Sequence, residues 1–463
     1  MEPQVEHMLS EKNKKLYVID DFKFYFQKLL CNDIERWACC KRSCTSYIKL
    51  SYINSEYKVI FRKIDHNHNK DDEQKLNRQR VCNNLKRKAV DDPFEKPSKI
   101  LHRELLKGDI STWTTNDTTR VRKNLHYARS SIYPKLPETL IDLHTALDNL
   151  NIKTNRDEDF LFINNHEKNI VAFTSHVNLK YLSECDILFV DGTFKSCPKM
   201  FYQLFTIHGV KNHNYTPLIF FLLTGKTKQI YEDALTNLLL KMNDLNLNLS
   251  PKIIYADFEL AIHSALLVVF PNTIRKGCRF HLGQSIWRKI QSVGLCTNFK
   301  KKTEIGLFLK LFFGLSFLNP NDVDDCFTNE IMAIQPNDDR IHAFCDYFLE
   351  TYVMADSLFP PTIWAEFSNS TMRTTNVCES FHSKLNSMFY SPSPNIFQLV
   401  DVLKQVQCDI YVKLRSSNLS NRRREILEKE KSISLVMTEF QNNEINRLLY
   451  VEKLAYMSLP TTK

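Results

Sequence analysis

Three acidic residues stand in separate local settings: Asp191 in ILFVDGTFK, Asp257 in KIIYADFEL and Glu379 in TTNVCESFHSKL. Each aspartate closes a short apolar, β-branched run, and the glutamate opens a helical pattern. An ionised carboxylate at the end of a buried strand is costly unless it binds something charged. Oxygen donors of this kind suit hard divalent cations, Mg²⁺ or Mn²⁺. Two such ions about 3.5–4 Å apart can activate a nucleophile and stabilise a leaving oxygen in in-line phosphoryl transfer. Taken singly, Asp191 reads as an Asp-Gly turn, Asp257 as a helix N-cap and Glu379 as a solvent-facing helix residue. The three together, in this order, favour chemistry.

A second constellation lies near the start of the chain: Trp37-Ala38-Cys39-Cys40, then Cys44, then His66-Asn67-His68. Cys39 and Cys44 flank a tight connection, and H-x-H turns two rings to one side of a strand end. Together they read as a Cys₂His₂ zinc set. A module of about fifty residues buries little core, so a structural metal would supply much of its folding free energy. Further on, Cys278 and His281 form C-x-x-H, which is either half of a zinc site or a satisfied buried pair. Cys296 is the nearest further thiol and stands alone.

The elements that must position these residues follow from periodicity. Residues 16–70 alternate short β-like runs with polar breaks, as in a small antiparallel sheet. From Asp71 to about Lys99 the chain turns charged, which reads as a short helix and a linker. Residues 100–150 look helical. From Asp157 the pattern changes to strands (DFLFINN, NIVAFTS, ILFVDGTF, QLFTIHGVK, TPLIFFLL), an amphipathic helix, the KIIYADFE strand, a helix and the strand TIRKGCRF. Counted from the run that ends at Asp191, the order is β-β-β-α-β-α-β, with acids on the first and fourth strands. That is an RNase H-like arrangement. Leu282 to Trp364 reads as an all-α insertion ahead of the last acidic helix.

Charge is unevenly distributed. Residues 1–130 carry the whole of the net charge of +9, which points to a polyanion partner or to a solubilising surface. RVRKNLHYAR sets Arg120, Lys123 and His126 at spacing three, with Arg122 and Arg129 nearby, as on a DNA-facing or a solvated helix face. Lys41, Arg42, Lys49, Arg62 and Lys63 offer phosphate contacts in the cysteine–histidine segment, as do Arg275, Lys276, Arg279, Arg288 and Lys289 around C-x-x-H. Thirteen cysteines and an opening MEPQVEHMLSEKNKK without an apolar run suggest reduced thiols in cytosol or nucleus. PLIFFLL and ALLVVF are far too short to span a membrane.

From about Asn169 to Phe389 the sequence resembles the transposase domain of Mutator-like elements, the MULE family. The matching pieces are VDGTF, FYQLFTIHGV, YADFELAIHSAL, CRFHLGQSIWRKI and TTNVCESFHSKLN. The resemblance implies an RNase H-like DDE transposase with Asp191, Asp257 and Glu379 at the catalytic, metal-holding positions. It also places Cys278 and His281 close to that site in a structural or DNA-positioning role. Residues 14–70 are similar to a FLYWCH-type zinc finger, whose W-x-C spacing selects Cys39 over Cys40.

The expected protein is therefore of α+β or α/β class: an RNase H-like mixed sheet with an all-α insertion, preceded by a β-rich zinc module and a helical linker. Its expected segments are a zinc module at 14–70, a basic helical segment at 71–150, a transposase domain at 157–400 with an insertion at about 285–365, and C-terminal helices at 401–463. Two Mg²⁺ or Mn²⁺ ions, a structural Zn²⁺, double-stranded DNA and a nuclear location complete the expectation, with room for a homo-oligomer. The alternative is a domesticated transposase that regulates by binding DNA without cutting it.

Overall fold

Aromatic and β-branched residues alternate from Glu6 to Lys63, and they fold as a six-stranded antiparallel meander in sequential order. Its strands are β1 (Glu6–Leu9), β2 (Lys15–Ile19), β3 (Phe22–Leu29), β4 (Glu35–Cys39), β5 (Tyr47–Ile53) and β6 (Glu56–Lys63). The computed structural model describes residues 6–10, 14–53, 56–107, 113–371, 373, 376–416 and 423–459. The first residues of the opening segment and the end of the hydrophilic tail lie outside them. One face of the meander buries Tyr17, Ile19, Phe24, Trp37, Ile48 and Leu50.

Where a short helix and linker are expected, the chain forms a 19-residue helix, α1 (Glu73–Asp91). Asp72 caps it, and Leu76, Leu85 and Ala89 supply a buried stripe that outweighs the charged composition. Helices α2 (Pro97–Leu105) and α3 (Thr115–Ser130) pack with α1 around Leu85, Ile100, Leu101, Val121 and Leu125. Arg129 corrects the sequence reading. It follows Val121 and Leu125 at four-residue spacing, so it lies on the buried stripe. Its guanidinium donates to the carbonyls of Ala89, Asp92 and Glu95 at 3.2, 2.9 and 2.6 Å. Only 3 % exposed, it ties α1 to the turn before α2 and is not available to a phosphate.

These elements form one compact unit, Met1–Leu136, and Pro137–Lys463 forms a second. Helix α4 (Leu140–Asp148), read from the sequence with the basic helices, packs on β7 (Leu161–Asn165) of the second unit. The remaining strands are β8 (Ile170–Phe173), β9 (Ile187–Thr193), β10 (Gln203–Lys211), β11 (Asn214–Leu223), β12 (Ile253–Ala256) and β13 (Ile274–Gly277). They join β7 in a seven-stranded mixed sheet of order β13-β12-β9-β10-β11-β8-β7. β12 runs parallel to both β9 and β13, whereas the other pairings are antiparallel.

Strand alternation assigns each face. Leu188, Val190, Phe205, Ile207, Ile254 and Ala256 share one core with α5 (His176–Ser183), α6 (Lys228–Asp244) and α7 (Leu260–Val269). Phe189 and Tyr255 point the other way, stacked at 4.7 Å, and the helix Asn376–Ser387 covers them with buried Cys378.

Helix α8 (Arg279–Ser292) leads into the helical region, whose own core centres on Phe312, with Phe344 and Phe348 edge-on at 4.8 and 5.0 Å. The C-terminal helices Arg424–Gln441 and Arg447–Tyr456 supply Ile433, Val436, Tyr450, Val451 and Leu454 to this same core. Among the described residues no helix is long and apolar enough to cross a membrane.

Candidate functional site

β9 and β12 lie side by side in parallel, with Ile187, Leu188 and Phe189 opposite Ile253, Ile254 and Tyr255. β12 stops at Ala256, while β9 continues to Thr193 against β10. The end of the shorter strand therefore opens a gap beside Asp191, at the carboxyl ends of the parallel pair where α/β sheets commonly hold ligands. By alternation Asp191 shares a face with Phe189, and Asp257 follows Tyr255. Both aspartates thus turn toward the helix that carries Glu379. All three acids line one open pocket of about 620 Å³.

The two aspartates are held alike. Each accepts the next residue's backbone N–H, Gly192 to Asp191 at 2.8 Å and Phe258 to Asp257 at 2.6 Å. His263 on α7 donates from Nε2 to the Asp257 carbonyl at 2.9 Å, and burial draws this imidazole down to about 4, so it serves as a neutral strut. Asp191 is the most enclosed acid, with its side chain 12 % exposed against 47 % for Asp257 and 38 % for Glu379.

Two histidines complete the pocket. Cys278 is the N-cap of α8 and His281 lies one turn on. The His281 ring sits between the acids, with Nδ1 3.4 Å from Asp257 Oδ1 and Nε2 3.2 Å from Glu379 Oε1. Burial opposes its charge, but hydrogen bonds to Cys278 and Glu379 and the field of Asp257 outweigh it and raise the imidazole to about 11. A cationic ring with a carboxylate at each nitrogen is stabilised by both. His281 is thus inside the pocket rather than beside it.

His382 is the residue that sequence reasoning missed. Its Nδ1 lies 3.3 Å from Asp191 Oδ2, and its Nε2 lies 2.9 Å from Thr206 Oγ1. Thr206, opposite Asp191 on β10, donates to the Asp191 carbonyl at 3.1 Å and also meets His208 Nε2 at 3.0 Å. The signal was present in CESFH, where E-x-x-H places Glu379 and His382 one turn apart on a single helix face. Across the pocket, Glu259 pairs with Lys226 at 2.8 Å and accepts from Tyr231 at 3.0 Å.

In the first unit the Cys39, Cys44, His66 and His68 ligand atoms all lie within 4.8 Å of one another. Among the described residues no other His, Cys, Asp or Glu trio does so. Cys39 Sγ is 3.2 Å from His68 Nε2, and Cys44 Sγ is 3.4 Å from His66 Nδ1. A tetrahedral zinc with bonds of about 2.3 Å to sulfur and about 2.0–2.1 Å to nitrogen sets such edges at roughly 3.5 Å, so the quartet can hold zinc. His68 Nδ1 donates to the Asn69 carbonyl at 2.8 Å, which leaves Nε2 as the ligand nitrogen. Phe22 stacks on His66 at 3.6 Å, and Asn67 ties the H-x-H turn to the Ser43 carbonyl at 2.9 Å. Burial raises the Cys39 thiol to about 11. At Cys44, hydrogen bonds from Ser46 and from the Asn67 backbone overcome burial and lower it to about 6. Cys40 is exposed, so Cys39 rather than Cys40 belongs to the quartet.

Lys41, Arg42, Arg120, Arg122 and Lys123 are solvent-facing, and Arg62 is half-buried.

The chain is an α+β protein: its first unit carries a Cys₂His₂ quartet that could hold zinc, and its second a mixed sheet with an acid-lined pocket at the end of the parallel strands. Residues 187–285 match the family model for the MULE transposase domain. The matched stretch begins with β9 and ends in α8, so it contains Asp191, Asp257, Cys278 and His281, and Glu379 lies beyond it. This match supports a transposase-related function. No curated protein matches the chain.

Proposed function

We propose that this chain is a DNA transposase of the DDE type, built on an RNase H-like domain with a helical insertion and carrying a FLYWCH-type zinc module. The observation that carries the reading is the convergence of Asp191, Asp257 and Glu379 on one pocket, with both aspartates inside the stretch that matches a transposase domain. Three carboxylates on an open pocket fit Mg²⁺ or Mn²⁺, since hard cations take oxygen donors. Two bound ions would supply activation of the attacking oxygen and stabilisation of the leaving one.

The chain's own residues do the rest. Backbone N–H groups at Gly192 and Phe258 fix the rotamers of the two aspartates, and His382 with Thr206 braces Asp191 from behind. His281 keeps Asp257 and Glu379 at a common separation. Lys195, Lys226 and Arg288 on the pocket wall face the phosphates of an entering strand. In the zinc module Lys41, Arg42 and Arg62 contact DNA, and Arg120, Arg122 and Lys123 add a basic helix face. The substrate is nuclear double-stranded DNA at the element's ends, first nicked and then joined to a target.

The test is strand cleavage by the full chain on duplexes taken from either side of its gene, with Mg²⁺ or Mn²⁺. Wild type cuts only with the cation, and Asp191→Asn, Asp257→Asn and Glu379→Gln each abolish cutting while still binding DNA. Cleavage by any of these variants at the wild-type rate would refute the assignment.

A further inference from the structure

A groove of about 880 Å³ with a strongly basic lining lies between α1 and α3. On α1 the groove-lining positions are 75, 78, 79, 82, 83 and 86, a stripe of alternating three- and one-residue steps that marks a single helix face. On α3 the facing stripe runs from Asp117 through Arg120, Lys123 and Asn124 to Tyr127. Val121 and Cys82 form the floor, and Asn124 donates to Cys82 Sγ at 3.3 Å to hold the two helices in register.

Six cations line this groove: Lys23, Lys75, Arg78, Lys86, Arg120 and Lys123. A single carboxylate, Asp117, answers them, and it is already bound by Arg78 with both oxygens at 3.0 Å. Lys75, Lys86, Arg120 and Lys123 have no ion pair among the described residues. Like charges gathered without counter-charges destabilise the free protein, so the arrangement calls for an external polyanion. The α1 stripe from Lys75 to Lys86 spans about 16 Å at 1.5 Å per residue. That is the axial length of about five base pairs of duplex DNA, at 3.4 Å per phosphate on each strand. The remaining lining is amide and aromatic (Gln79, Asn83, Trp113, Tyr127), the donors that supplement Lys and Arg on a phosphate backbone.

We propose that the α1/α3 groove grips the phosphate backbone of duplex DNA and positions it without reading sequence. This rests on the DNA-directed reading above and adds to it Lys23, Lys75 and Lys86, together with a defined track. It also gives Arg78 and Asp117 a role as the fixed hinge between the two charged stripes.

The experiment measures binding of the full chain to a labelled 30-base-pair duplex of arbitrary sequence across a salt series. The triple change Lys75→Gln, Lys86→Gln, Lys123→Gln removes three phosphate contacts. It lowers the slope of log affinity against log salt by about 2–3 and weakens binding roughly 100-fold at about 0.15 M salt. The matching triple change to Arg retains the wild-type slope, which separates charge from folding. An unchanged slope in the Gln variant overturns the proposal. So does loss of binding to a polyglutamate peptide with duplex binding intact, which assigns the groove to an acidic protein. Absent cleavage with this slope pattern intact removes the transposase chemistry and leaves the groove, and the converse result removes the groove alone.

Discussion

Replacing Gly314 by alanine tests how the C-terminal helix closes the helical core. A Cβ at Gly314 would stand 2.0 Å from the Val451 carbonyl oxygen and 2.8 Å from its carbonyl carbon. Both are backbone atoms, so no rotamer change relieves the clash, and the helix Arg447–Tyr456 must retreat by more than 1 Å. Tyr450, Val451 and Leu454, now fully buried, would lose part of their packing. Burial of such side chains contributes about 1.5–3 kcal/mol each. Losing roughly half of that over three residues, at the upper end of what overpacking usually costs, gives about 3 kcal/mol. For a unit this large that corresponds to a fall of about 5 °C in Tm. Gly283→Ala is the internal control. Its Cβ would lie 3.7 Å from the Phe313 ring, an ordinary contact, and the exchange gains helix propensity of about 0.5–1 kcal/mol. Calorimetry of the two variants should therefore shift Tm in opposite directions. Equal shifts would refute the close approach of Gly314 to Val451.

Removing zinc from the full chain, or changing Cys44 to Ser, should loosen the meander and leave the second unit folded. Structural zinc contributes about 10–16 kcal/mol in small fingers, so one of four ligands accounts for roughly 2.5–4 kcal/mol. The reporter is fluorescence of Trp37, buried edge-on to Tyr17 two residues before Cys39, and a Trp37 signal indifferent to a zinc chelator would count against the site. A third outcome concerns pH. His208 is fully buried, and burial lowers its pKa well below the ordinary imidazole value. Below about pH 6.5 the unfolded chain binds a proton there that the folded chain refuses, so stability is full above that pH and falls as pH drops. His208→Gln should flatten the slope of stability between pH 6.5 and 5 by up to about 1.4 kcal/mol per pH unit. Parallel denaturation curves for the two proteins across that window would contradict it.

The sheet could be read from sequence because its strands are short apolar runs with clear breaks, and the two aspartates fall where those runs end. The Cys₂His₂ quartet was visible because Cys and His at such spacings have few other uses in a small β-module. What stayed hidden depended on partners distant in sequence. Arg129 sits among basic residues, but its position four residues after Leu125 commits it to the interior. The charged composition of 71–91 concealed a long helix, because Leu76, Leu85 and Ala89 alone suffice once α2 and α3 cover them. For the helices Arg424–Gln441 and Arg447–Tyr456, only the shared core around Phe312 shows what their apolar faces pack against. His382 was legible in E-x-x-H but carried no meaning until Asp191 and Thr206 were seen beside it.

Mn²⁺ titration followed by electron paramagnetic resonance most directly tests whether Asp191, Asp257 and Glu379 act as one ligand set. Wild type should bind Mn²⁺ at the pocket, and Asp191→Asn, Asp257→Asn and Glu379→Gln should each weaken that binding by at least about tenfold, as expected when a ligand is lost. Undiminished Mn²⁺ binding in any one of the three would show that the acids do not share a metal.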